Sequence, residues 1–290
     1  MSSDHIERHW TSRDGLALFA RDYPAAGAET GLPVICLHGL TRNSRDFDKI
    51  APIIAGLGRR VIAADVRGRG QSARDQNPNN YKPPIYARDV VEMMAHLGIP
   101  QAVFIGTSMG GIITMALMAL RSRAIAAAIL NDVGPEVAPE GIARILSYVG
   151  KQAEIRTWGD AADYVRRINE TALPGNTDSD WQEFARRTFR DQDGRPTLDY
   201  DPAITVPLGK PPSRFSLWLV KWMFRRLARK RPVLLVRGQL SDVISSDIAD
   251  RMQRVAPGLQ RADIPGVGHA PMLNEPEAVD AIERFLRTVP

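Results

Sequence analysis

The sequence predicts an α/β architecture, a mostly parallel sheet of roughly eight strands flanked by helices. Three observations predict it. Short β-branched or apolar runs alternate with longer amphipathic segments. The alternation stops between Ile129 and Pro232 and then resumes, which marks an insertion into one continuous core. A glycine-flanked serine sits where one apolar run passes directly into a helical pattern.

The runs read as strands are Ile6 to Thr11, Ala17 to Tyr23, Val34 to Leu37, Arg60 to Asp65, Ala102 to Gly106, Ile125 to Asn131, Pro232 to Arg237 and Arg261 to Ile264. The first two flank Arg13-Asp14-Gly15, a turn signal, and so form an antiparallel hairpin leading into the parallel part. Residues 1–133 and 232–290 are the expected core, and residues 134–231 an inserted helical cap. Its expected helices are Glu140 to Gln152, Asp160 to Glu170, Asp178 to Arg190 and Ser213 to Lys230, each opened by an acidic or hydroxyl residue suited to capping. Pro174-Gly175, Asp193-Gly194 and Pro211-Pro212 punctuate them, and no convincing buried strand is visible there. Pro276 to Leu286 reads as a last helix on the sheet.

Composition narrows the function classes. The chain of 290 residues has a formal charge of +5, with much of its basic excess after position 140, and no nucleic-acid module interleaves it with stacking aromatics. Cys36 is the single cysteine, in the apolar run Val34 to Leu37, so it reads as core and no intramolecular disulfide is possible. Met1 to Trp10 lacks the apolar stretch of a signal peptide and no run approaches the ~20 residues of a membrane span, so a cytoplasmic location is expected. No His-Glu-x-x-His stretch is present, and neither a metal nor a cofactor is expected. The basic, aromatic stretch Phe215 to Arg231 reads as a cap helix that buries its aromatics and solvates its cations, in preference to a contact with an anionic membrane.

The chemistry is carried by Gly106-Thr107-Ser108-Met109-Gly110-Gly111. A sharp strand-to-helix turn forces its central serine into a strained backbone and leaves no room for side chains two residues to either side. The hydroxyl then stands at the C-terminal edge of the sheet, beside the helix N–H groups where negative charge develops in acyl transfer. A serine needs a base to take its proton. Of five histidines only His269 follows Ser108, in the glycine-rich loop Pro265 to Pro271 that leaves the last strand. Backbone N–H groups of Met109 and of Leu40, in the loop Leu37-His38-Gly39-Leu40-Thr41, are the candidate oxyanion donors, and His38 reads as bracing that loop.

Together with Asp65-Val66-Arg67-Gly68-Arg69-Gly70-Gln71-Ser72, these residues resemble the α/β-hydrolase superfamily over about two-thirds of the chain. The resemblance implies the order serine, acid, histidine. Asp242, in Arg237 to Asp242 after the strand that follows the cap, and Asp132, after Ile125 to Leu130, both qualify as the acid. Asp242 is the choice, because that strand is the commoner acid position in this architecture. Serine at the turn argues against the superfamily's dehalogenases and epoxide hydrolases. The implied activity is hydrolysis of a small or medium carboxylic ester through an acyl-enzyme. A carbon–carbon bond hydrolase, a lactonase and a non-turnover ligand sensor are the alternatives. The substrate is a small molecule, its pocket lined by cap residues such as Ile145, Tyr148, Trp158 and Tyr164.

Overall fold

A computed structural model describes residues 5–151, 154–209 and 213–290. The expected helix end at Gln152, the break at Pro211-Pro212 and the first residues of the Met1 to Trp10 start lie outside them.

The chain runs β1 (Ile6–Thr11), β2 (Ala17–Tyr23), β3 (Val34–Leu37), α1 (Ile50–Gly56), β4 (Val61–Asp65), α2 (Pro83–His96), β5 (Ala102–Thr107), α3 (Met109–Leu120) and β6 (Ile125–Asn131). The segment expected as a cap holds α4 (Pro139–Tyr148), α5 (Trp158–Asn169), α6 (Asp178–Thr188), β7 (Phe189–Gln192), β8 (Arg195–Leu198) and α7 (Arg214–Lys230). The core resumes with β9 (Val233–Gly238), α8 (Ser246–Val255), β10 (Gln260–Ile264) and α9 (Pro276–Leu286).

Eight strands form one sheet in the order β1-β2-β4-β3-β5-β6-β9-β10. β1 and β2 pair antiparallel, as the turn at Gly15 predicts, and β2 joins β4 antiparallel. Every other pairing is parallel. β3 to β6 and β9 are buried almost throughout, which is why they read as unbroken apolar runs. One face of the sheet packs on α2, α3, α7 and α8, around Phe104, Ile113, Leu227 and Met252. The other packs on α1 and α9, around Cys36, Ile54, Ile282 and Phe285. The chain leaves β3 in one direction and β5 in the other, so a crevice opens at their carboxyl ends, the place where open α/β sheets hold their ligands.

Two features of the segment between β6 and β9 differ from the expectation. β7 and β8 make a hairpin about Asp193-Gly194, whose positive φ values of 53° and 80° suit the tight turns that match strand twist. Apart from buried Phe189 and Pro196 its strands are partly or fully exposed and largely polar, so no apolar alternation announces them. α7 divides along its length: Met223, Phe224, Leu227 and Ala228 pack into the core against α3, whereas Phe215, Leu217, Trp218 and Trp222 are exposed. The aromatics of this stretch are therefore not generally buried, and its C-terminal half serves as the crossover helix into β9.

The hairpin is tied firmly to the core. Asp199, just beyond β8, is buried and accepts from Asn43 Nδ2 (3.1 Å), Arg45 Nη2 (2.7 Å) and Arg190 Nε (2.9 Å), while its carbonyl accepts Gly70 N–H. No helix among the described residues is long and apolar enough to cross a membrane.

Candidate active site

Ser108 caps α3 with φ 50° and ψ −112°, a left-handed conformation that a serine adopts only when its surroundings enforce it. Those surroundings are steric. A Cβ on Gly106 would lie 2.5 Å from the Gly110 and Gly111 backbone, and one on Gly110 would lie 1.9 Å from the Leu37 carbonyl oxygen. Glycine lets α3 press onto β3 and β5 and leaves the hydroxyl at the crevice.

His269 Nε2 lies 3.0 Å from Ser108 Oγ, and its Nδ1 lies 2.7 Å from Asp132 Oδ2. A carboxylate only accepts, so Nδ1 carries the hydrogen and Nε2 is left to accept from the serine. Asp132 is fully buried, with φ 52°, and its N–H is held by the Val236 carbonyl. Its Oδ1 accepts Gly238 N–H (3.0 Å) and its Oδ2 accepts the Ser241 hydroxyl (2.6 Å). The imidazole loop is fixed in turn: Asn131 Nδ2 donates to Thr107 Oγ1 and to the Pro271 carbonyl, and Gly268 N–H donates to the Ala172 carbonyl.

Asp242, the aspartate expected beside the histidine, is not the one that meets it. Its carboxylate turns toward α4, where Arg144 Nε (2.5 Å) and Nη2 (2.9 Å) grip it in a bidentate pair, and it stays about a third exposed at 34%. Burial pushes the Asp242 carboxyl up, but the Arg144 guanidinium outweighs this and holds it below the usual carboxylate range. The sequence places an aspartate after β6 and another after β9. Choosing between them requires knowing that Ser241 and Gly238 turn their donors toward the first.

The loop after β3 approaches Ser108 closely, since a Cβ on Gly39 would be 4.0 Å from the Ser108 Cβ. Leu40 lines the crevice, and Met109 opens α3 beneath it. His38 is fully buried: its Nε2 accepts Val66 N–H (3.0 Å), so Nδ1–H donates to the Gly39 carbonyl (2.7 Å). Burial pushes its imidazole down to about 4, which keeps it neutral and bracing two loops. Arg69, also buried, donates from Nε to the Leu40 carbonyl (2.9 Å) and from Nη1 to the Arg67 carbonyl and the Tyr86 hydroxyl. Its Nη2 contacts Met109 Sδ at 3.6 Å, so one side chain touches both residues expected to offer oxyanion donors. In the same loop Arg67 is bound to Asp14, Asp75 and Asp89.

A cavity of about 110 Å³ opens over Ser108 and His269. Ile145 and Tyr148 line it, as expected. Trp158 and Tyr164 do not: Tyr164 packs edge-on against Phe189 inside the segment's own core, and Trp158 lies under the Arg186 guanidinium. The residues of α5 that do face the cavity are Val165, Ile168 and Asn169. Leu173, Phe184 and Thr188 complete that wall, none of them distinguishable in sequence from ordinary packing residues. Arg42, bonded to Asp46 and stacked 4.2 Å over Phe184, closes the far end.

Comparison with known proteins agrees with this architecture. Residues 34–282 match the alpha/beta hydrolase family. The chain is 32% identical over 257 residues to a 3-hydroxybutyrate-oligomer hydrolase of Cupriavidus necator, covering 87% of each. It is 26% identical to the esterase YbfF of Escherichia coli, covering 93% of this chain and 99% of the esterase. The crystal structure of an alpha/beta hydrolase from Novosphingobium aromaticivorans superposes with a TM-score of 0.90 at 40% identity, over 99% of both chains. With an eight-stranded sheet of this order and a match over most of its length, the chain belongs to the alpha/beta hydrolase family and is a hydrolase.

Proposed function

We propose that the enzyme cleaves carboxylic esters of small to medium size, with Ser108 as nucleophile, His269 as general base and Asp132 as the acid that orients it. The observation that carries this reading is the continuous relay from Ser108 Oγ through both imidazole nitrogens to a buried carboxylate. As Ser108 Oγ attacks the ester carbonyl, its proton passes to His269 Nε2, and Asp132 stabilises the resulting imidazolium. The carbonyl oxygen becomes an oxyanion, held by the N–H groups of Leu40 and Met109. His269 returns the proton to the departing alcohol, leaving an acyl group on Ser108. Water, deprotonated by the same nitrogen, then releases the acid and restores the serine.

Substrate choice belongs to residues 134–231, which act as a cap because α4, α5 and α6 wall the cavity while the relay rests on the core. Beyond the relay itself, that wall is apolar apart from Thr41, Thr107, Asn169, Thr188, the Tyr148 hydroxyl and the matched pair Arg42 and Asp46, which suits an uncharged acyl chain. A 3-hydroxybutyrate oligomer is a chain of short aliphatic ester units, so the named activity of the relative in Cupriavidus necator fits the same wall. We take short oligoesters of hydroxy acids as the preferred class. An organophosphonate should attach to Ser108, and kcat/KM on a 3-hydroxybutyrate dimer should exceed that on dienoic ketoacids and lactones. Label on another residue would overturn the nucleophile; a ketoacid or lactone cleaved faster would overturn the ester reading alone.

A further inference from the structure

α7 presents a surface that catalysis does not use. Over its 17 residues it carries Arg214, Lys221, Arg225, Arg226, Arg229 and Lys230 and no acidic residue. While Met223, Phe224, Leu227 and Ala228 anchor one side in the core, Phe215 is 68% and Trp218 57% exposed, with Trp222 exposed beside them. Phe215 and Trp218 stack at 5.8 Å, and the Arg226 guanidinium lies 5.4 Å from the Trp222 ring. At 100° per residue, positions 215, 218, 222, 226 and 229 share one face, so the outward side is aromatic in its first half and basic in its second. Val206 and Leu208, shortly before α7, are exposed as well.

α4 continues the pattern. Ile145 and Tyr148 face the cavity, whereas Ile142 and Leu146 are exposed. Glu136, which precedes α4, is joined to α7 by Lys221 at 2.7 Å. The segment leading into the helix that walls the site is thus tied to the helix that bears the aromatics.

We propose that this face docks the enzyme onto an anionic lipid bilayer, with Phe215, Trp218 and Trp222 entering the interface and Arg225, Arg226, Arg229 and Lys230 meeting the phosphate headgroups. Charge complementarity selects this occupant. Exposed indole rings beside arginines, with no carboxylate on the helix, match an apolar boundary beneath a negative surface. A second copy of the chain fits poorly, because a two-fold contact through α7 sets these cations against their own duplicates.

The test is vesicle co-sedimentation of the full chain. Phosphatidylcholine vesicles with about 30 mol% phosphatidylglycerol should bind it at least about tenfold more strongly than pure phosphatidylcholine, and raising NaCl from about 0.1 to about 0.5 M should release much of it. Phe215→Ser with Trp218→Ser, both on the exposed face, should lower binding about tenfold without changing turnover of a soluble p-nitrophenyl ester. Arg225→Glu with Arg226→Glu should abolish the preference for anionic vesicles, which keeps the proposal testable if the first variant folds poorly. Equal binding to both vesicle types would overturn it. So would a dimer in light scattering that the Phe215/Trp218 variant converts to monomer while vesicle binding stays absent.

Discussion

The carboxyl ends of β6 and β9 are neighbours in the sheet, and each is followed by an aspartate, yet only one reaches the imidazole. After β6, Asp132 is locked by a left-handed backbone, by the Gly238 N–H and by the Ser241 hydroxyl. After β9, Asp242 is left to the surface and to Arg144. Two residues of the β9 end, Gly238 and Ser241, therefore serve the aspartate of the neighbouring strand. Which carboxylate meets the imidazole is decided by which one receives fixed donors, rather than by which strand carries an aspartate.

The largest effect expected is common to both ends. Ser108→Ala should lower kcat by about 10⁴-fold or more while leaving the fold intact, since it removes one half-buried oxygen at the crevice and no core volume; steady-state kinetics and circular dichroism check both halves. Asp132→Asn should follow, at roughly 10³- to 10⁴-fold in kcat with little change in KM, because an amide can donate to Nδ1 and so favour the wrong tautomer. A larger loss for Asp242→Asn than for Asp132→Asn would break the comparison outright.

The bracing histidine gives a stability effect of intermediate size. His38 titrates near 4 in the folded chain against 6.5 in the unfolded one. The unfolded state therefore binds the extra proton between those values, and folding stability should fall as pH drops through that window, by about 3 kcal/mol in all. Urea unfolding from pH 7 to about 4.5 measures this. His38→Gln should flatten much of the slope, and an unchanged slope would remove His38 as its cause.

Smaller effects sharpen the contrast. Ser241→Ala should lower kcat about tenfold, through loss of a fixed donor to Asp132. Asp242→Asn should change it by no more than about threefold, since it breaks a partly exposed pair. Because Arg144 holds the Asp242 carboxyl below its ordinary range, the stability of that pair is present above the ordinary aspartate value and is lost as pH falls below it. Screening at a one-third exposed site keeps the contribution under about 1 kcal/mol. A double-mutant cycle of Arg144→Ala with Asp242→Asn reads it directly.

These contrasts also locate what sequence could reveal. The buried parallel strands and the serine turn were legible because each is a local pattern: β3, with every residue buried, can only be an unbroken apolar run, and Gly106 and Gly110 can only be glycine. His269 was legible through chain order alone. Asp132 was not selected, because the donors that fix it come from residues more than a hundred positions away. Tyr164 and Val165 are adjacent in sequence and both pack in the segment's core, yet only Val165 also reaches the cavity wall. The rotation of α5 about its axis decides between them, and residue type does not. The β7–β8 hairpin left only its Asp193-Gly194 turn as a trace, since isolated residues such as Phe189 and Leu198 pack on apolar neighbours without an alternating pattern and a polar tie from Arg45 to the Phe189 carbonyl helps hold it.

Arg69 has a consequence for how electric potential is distributed under the crevice. Its guanidinium is buried, and its donors go to two carbonyls, a phenol and a thioether, with the Tyr81 and Tyr86 rings at 5.6 and 5.1 Å. Dipoles and π faces orient around the cation without cancelling it, as a carboxylate would. A whole positive charge is thus embedded behind the Leu40 peptide and against Met109, held stationary before any substrate arrives. In the proposed mechanism, negative charge forming above those two residues meets a standing field and calls for no rearrangement of the protein to create it.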